Sequence, residues 1–207
     1  GVEPPARGEV SLDGSAWQRP STGRLVRAGM GYIPAERLVE GMIAGQPVSW
    51  NITLPSGDMF STRSGFWRHR HENTVSRDLI ARVGINVKGP DTVCERLSGG
   101  NQQKVVLARW LARPLKVLIL DNPTRGVDAG AKEEIYRFIR DLTDQGTAVI
   151  LISDELLELI GLSNRIAIMR QGRITQVLPA PAHAKPTEQE LVAAMLSVPG
   201  NAKALVA

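Results

Sequence analysis

The chain has 207 residues, 43% of them hydrophobic, and a formal net charge of +4. That length suffices for one good core with a small appended subdomain, and no apolar run of about 18 residues is present to make a membrane-spanning helix. A lone cysteine, Cys94, excludes an intrachain disulfide framework and fits a reducing compartment, and three histidines beside it make no zinc site at a familiar spacing.

The first residues, GVEPPARGEV, lack the apolar stretch of a secretory signal. GEVSLDG (8–14) alternates and ends in a turn, as an edge strand does. GMGYIPAERLVEGM (29–42) places a short apolar strand before a proline and a charged loop. Between Pro47 and Pro90 turn signals cluster, and a polar helix follows with Phe66, Trp67, Val75, Leu79, Ile80 and Val83 as its apolar stripe. This region reads as a small helical subdomain. The basic stretch TRSGFWRHRHENTVSR (62–77) is open to two readings: a solvated helix face, or a contact with lipid head groups, another subunit or nucleic acid.

CERLSGGNQQKVVLARW (94–110) puts Ser98, Gly99 and Gly100 at the head of an apolar-periodic helix. Glycines there let backbone N–H groups approach an anion, and the helix N-terminus favours negative charge. Yet no G-x-x-x-x-G-K-[ST] phosphate loop occurs in the chain, and no lysine follows a glycine. KVLILD (116–121) is a continuous apolar run, as in a strand buried on both faces. It delivers Asp121 to the carboxyl end of that strand, where ligands of open α/β sheets sit. Asp121 reads either as a Mg²⁺ ligand, directly or through water, or as a turn aspartate.

AKEEIYRFIRDLTDQG is an amphipathic helix with Ile135, Phe138, Ile139 and Leu142 on one side, stopped by Gly146. TAVILIS (147–153) is a second buried strand and DELLELIGL (154–162) a short helix. RIAIMRQGRITQ is a hairpin turning at Gln171-Gly172. Thr187 and Glu190 stand at capping-box spacing ahead of the final helix, and SVPGNAKALVA is a loose tail. Buried strands alternating with helices predict an α/β fold with a mostly parallel sheet.

LSGGNQQK, VLILDNPTRGVD and ILISDELLEL, in this order, resemble the motifs of an ATP-binding cassette ATPase. With YIPAER they are similar to the second cassette of the tandem ATPases that power bacterial importers of simple sugars, over about residues 8–178. The resemblance implies a partial phosphate-loop NTPase core with a helical subdomain. Its parts would be a core remnant with the Q-loop region (1–47), a helical signature subdomain (48–97), the remaining core (98–178), and a C-terminal helix and tail (179–207). It implies two cassettes facing head to tail, so that Ser98, Gly99, Gly100 and Asn101 contact the γ-phosphate of ATP held on a partner cassette's phosphate loop. The chain's own phosphate loop would lie just upstream of Gly1. Asp128 would sit in the loop crossing the cassette dimer, and Asp121 would hold Mg²⁺ through water.

Three positions depart from the family pattern. Asn122 stands where glutamate polarises the attacking water. An amide cannot accept the water's proton, so help worth about two to four orders of magnitude is lost. The substitution reads as natural degeneracy of a hydrolysis-poor site or as an engineered change. Asp154 stands where a histidine contacts the γ-phosphate, and its bland reading is the N-cap of the following helix. Ala35 takes the Q-loop position after Pro34, with Glu36 next.

The family implies ATP and Mg²⁺ in the complete cassette pair, a membrane permease, indirectly a periplasmic or extracellular binding protein, and a peripheral place on the cytoplasmic face of the bacterial membrane. Nucleic acid is not an expected partner. The rival reading is a soluble tandem cassette acting on ribosomes or nucleic acid. A third, compatible reading is a regulatory half-site whose partner does the hydrolysis.

Overall fold

A computed structural model describes residues 9–197. Strands β1 (Val10–Leu12) and β2 (Ser15–Trp17) form an antiparallel hairpin. Its turn, Asp13-Gly14, has both residues at positive φ, the geometry that matches the twist of the flanking strands. Helix α1 (Thr22–Arg27) leads into β3 (Met30–Ile33), which pairs in parallel with β4 (Val117–Asp121). Gly31 of β3 has no room for a Cβ, which would lie 2.9 Å from both Leu118 and Trp110 side-chain carbons. That vacancy lets the Trp110 indole lie against the sheet. β5 (Ala148–Ile152) completes the sheet in the order β3-β4-β5.

After a π-helical turn at Arg37–Gly41 come helices α2 (Val48–Thr53), α3 (Gly57–Phe60) and α4 (His69–Val83). Val48, Ile52, Phe60 and Leu79 are buried among them. Gly84, at φ 68°, ends α4 in a left-handed cap. Helix α5 (Gly99–Ala108) carries the fully buried run Val105–Ala108. Helix α6 (Ala129–Asp144) buries Ile135, Ile139 and Leu142 of the predicted stripe, with its fourth member Phe138 half-buried, and Gly146 follows it at φ 90°.

The chain divides into two compact units, residues 1–150 and 151–207. The second contains α7 (Leu156–Leu162), the antiparallel pair β6 (Arg165–Arg170) and β7 (Arg173–Pro179), and α8 (Glu188–Leu196). Its core is Ile166, Ile168, Ala180 and Leu191, with Leu156, Leu159 and Leu178 against it. Gln171-Gly172 turns the hairpin, both at positive φ. Both halves of the Thr187–Glu190 capping box are formed. The tail expected to be loose lies, from Val198 on, outside the described residues.

Three expectations need correction. Phe66 and Trp67 do not belong to the helical stripe. Gly65 (φ 85°) and an isolated Ser61–Trp67 bridge fold them into a turn ahead of α4. Phe66 is 73% exposed there, and the Trp67 indole donates to the buried Glu72 carboxylate at 2.7 Å. Nor is β5 buried on both faces: it is the edge of its sheet, and Ile150 is 52% exposed. Finally, the N-cap position of α7 falls on Glu155, not Asp154, and the Ser153 hydroxyl accepts the Glu155 N–H. Among the described residues no helix is long and apolar enough to cross a membrane.

Candidate functional site

Asp121 ends β4, half-buried, with a donor on each carboxylate oxygen. The Tyr32 hydroxyl reaches Oδ2 at 3.5 Å and the Asn122 amide reaches Oδ1 at 3.2 Å. Burial, and then the Asp121 charge, pushes the Tyr32 phenol above its ordinary range, so it stays a donor. Asn122 has φ 44°, a left-handed backbone that asparagine tolerates better than most residues. Its geometry turns the amide nitrogen toward Asp121.

The chain then loops through Pro123–Val127, with Arg125 N–H bonded to Asn122 O and Val127 N–H to Thr124 O. Asp128 caps α6, its carboxylate accepting the Ala131 N–H at 3.0 Å. Asp128 therefore stands where the loop gives way to the helix.

Ser98 caps α5. Its hydroxyl accepts from the Asn101 side-chain amide at 2.9 Å and from the Asn101 N–H at 3.5 Å. Asn101 in turn accepts the Asn86 N–H at 2.8 Å, which ties this turn to the segment after α4. Lys104 donates to Gly84 O at 2.8 Å and pairs with Glu134 of α6.

The two glycines explain how close α5 comes to its neighbours. A Cβ on Gly99 would lie 2.8 Å from Arg37 Nη2 and 3.4 Å from Gly126 O. A Cβ on Gly100 would lie 2.8 Å from Ala131 Cβ and 3.7 Å from Asp128 Oδ2. The head of α5 thus packs directly on the loop after Asp121 and on the start of α6, with Ser98 exposed beside the contact and Gly100 buried within it. Glu36 reaches that loop, its carboxylate 2.9 Å from Arg125 Nη1, while Ala35 sits half-buried behind Pro34.

Sequence reasoning missed Tyr32, Arg37 and Gln102. Arg37 donates to Arg125 O at 3.0 Å and to Gln102 Oε1 at 3.5 Å. Only the density of charge and glycine in AERLVEG hinted at it. Asp154 lies in the second unit, beyond Ser153. Among the described residues no cluster of three or more His, Cys, Asp or Glu could hold a metal ion.

A profile of the ABC transporter family matches residues 1–125. The chain is 42% identical over 174 residues to ribose import ATP-binding protein RbsA 1 of Rhizobium meliloti, covering 84% of this chain and 34% of that protein. It is 40% identical over 192 residues to the Bacillus subtilis ribose import ATP-binding protein RbsA, covering 93% and 38%. The chain thus spans about a third of the length of the curated relatives it matches. A dimeric post-hydrolysis structure of the ATP-binding cassette MJ0796, bound to ADP and Pi, superposes with a TM-score of 0.72 at 20% identity, covering 86% of this chain and 76% of that one. The fold is that of such a cassette, α/β with a parallel sheet.

Proposed function

The chain belongs to the ABC transporter family, and we propose from that premise that it works as part of the ATPase of a bacterial importer of a simple sugar or related small molecule. The observation that carries the reading is the close approach of Gly99 and Gly100, at the head of α5, to the segment Gly126–Ala131 that follows Asp121. The start of α5 presents N–H groups and a helix dipole to an anion. No G-x-x-x-x-G-K-[ST] loop lies within these 207 residues. A partner cassette would supply the loop and its ATP, and Ser98, Gly99, Gly100 and Asn101 would contact the terminal phosphate across the interface, with Asp128 in the crossing loop. The cassette-like fold, also adopted by a protein solved as a dimer, supports this arrangement.

The residues present fit a Mg²⁺ held mainly by water and phosphate oxygens. Asp121 is a lone carboxylate at the strand end with both oxygens oriented by donors, and Mg²⁺ is commonly bound by one or two carboxylates plus phosphates. When bound, the ion neutralises charge on the phosphates. Asn122 beside it offers no base for the attacking water, so this half-site regulates or holds nucleotide while the partner site hydrolyses. Asp154 stands where the family pattern has a histidine, and a carboxylate in that role would repel a phosphate rather than donate to it. Glu36, paired with Arg125, would connect the Q-loop region to the crossing loop.

Leu38, Val39, Trp50, Leu54 and Phe66 are individually exposed apolar side chains of the kind a permease contact would cover, with a substrate-binding protein acting through that permease from the far side of the membrane. The GGNQQK and PTRGVD segments favour import over the ribosome-acting alternative, and co-sedimentation with ribosomes would overturn this choice. Ser98→Arg in the assembled transporter places a bulky cation in the shared pocket and is expected to abolish ATP-driven hydrolysis at the partner's site; unchanged transport refutes the cross-interface contact. The chain alone is expected neither to bind ATP tightly nor to hydrolyse it, as isothermal calorimetry would check.

A further inference from the structure

We propose that Arg37 is a positioning residue for ATP hydrolysis, clamping the start of α5 to the loop that follows Asp121. The inference rests on the shared-pocket reading above. One half-buried guanidinium touches two segments that are distant from it and from each other in sequence, α5 and the loop after Asp121. From the turn after β3, Nη1 donates to Arg125 O at 3.0 Å and Nε to Gln102 Oε1 at 3.5 Å. Nη2 lies 2.8 Å from where a Cβ of Gly99 would be, so it occupies the space that glycine leaves open.

The planar guanidinium offers its donors in fixed directions, so two bonds at once fix angle as well as distance. A lysine in its place supplies charge but one freely turning donor group. The neighbouring Glu36–Arg125 pair does not make an equivalent clamp, because both side chains are 61% exposed and such pairs are worth little. Arg37 bonds at once to the backbone carbonyl of Arg125 and to the Gln102 side-chain carbonyl, beside the closer packing of Gly100 on Ala131 and the Lys104–Glu134 pair. Through them the crossing loop and the N–H groups at the head of α5 keep one relative position. Donors aimed at a reacting phosphate must hold such positions closely, since a misplacement of about 1 Å can cost about a hundredfold in rate.

The test is Arg37→Ala and Arg37→Lys in the assembled transporter, with steady-state ATP hydrolysis and thermal melting. Both variants are expected to lower kcat by about tenfold to a hundredfold. KM for ATP should stay within about threefold, because ground-state binding is held by the partner's own phosphate loop. The melting temperature should be unchanged in Arg37→Lys. Full activity in Arg37→Lys would overturn the clamp, showing that charge suffices. So would a rise in KM with kcat unchanged, or a melting temperature that falls in step with activity. Ser98→Arg, run alongside, separates the two failures. If it abolishes hydrolysis and Arg37→Ala does not lower kcat, only this inference fails; if it leaves hydrolysis intact, the shared pocket fails and the clamp with it.

Discussion

Gly100→Ala puts the close packing of α5 on α6 to a quantitative test. The added Cβ would lie 2.8 Å from Ala131 Cβ, with Asp128 Oδ2 at 3.7 Å and Val127 Cγ1 at 4.0 Å behind it. Carbon atoms rest at about 3.5–4.0 Å, so the two helix starts would have to part by about 1 Å. Neither carbon can swing away, because each is fixed directly to a helix backbone. Overpacking of this kind costs about 1–3 kcal/mol. Alanine's better helix propensity offsets at most about 1 kcal/mol. The net loss is expected to be about 1–2 kcal/mol. Gly99→Ala behaves differently, since its 2.8 Å neighbour is the movable end of Arg37. Its stability should change little while the guanidinium is pushed aside. Urea unfolding of Gly100→Ala, Ala131→Gly and the double variant provides the assay. Removing the Ala131 methyl should relieve the clash, giving a coupling of about 1 kcal/mol or more. Wild-type stability in Gly100→Ala, or simple additivity in the pair, refutes the argument.

Cys94 is fully buried, and burial pushes its thiol from 9.0 to about 11. A thiol reagent at pH 8 should therefore leave it unmodified until the chain unfolds. Because the folded value is raised, the thiol's contribution to stability is complete below 9.0 and lost as pH climbs through about 11; comparison with Cys94→Ala across that range checks it. Asn51 is buried, holds the Ile43 N–H at 2.8 Å, and accepts from Arg109 through both its backbone and side-chain oxygens. Asn51→Leu keeps the backbone acceptor of Arg109 Nε but strands the Ile43 N–H and Arg109 Nη2, and should cost about 2 kcal/mol or more in chemical denaturation. Glu190 accepts from the Thr187 N–H and hydroxyl, which hold its carboxyl below 4.5. That stabilisation is present above 4.5 and fades as pH falls through the lower folded value, so helicity of α8 by circular dichroism should decline in acid, and less so in Glu190→Gln.

The elements legible in the sequence were those with redundant local signals. β4 announced itself by an unbroken apolar run. α6 had its stripe and its glycine stop, and α8 its Thr187–Glu190 box. Helix α1 was missed because its six residues carry two arginines and a glycine and bury nothing fully. The exposure of β5 was not readable because an apolar run reports composition, whereas burial depends on what packs against each face. At the candidate site, Ser98, Asp121 and Asp128 were legible from their places at strand and helix ends. The Arg37 contacts were not, since they join residues 65 and 88 positions apart and leave no local periodicity. The glycine pair was read as an opening for phosphate, while the structure adds a second demand, clearance for α6 and Arg37.

Lys104 sits where α4, α5 and α6 converge: from α5 it holds the carbonyl that closes α4 and a carboxylate midway along α6. Together with the Asn86–Asn101 bond, the ammonium fastens the C-terminal end of α4 to α5 and α6, so that a displacement of this end of α4 bears directly on the first turns of α5.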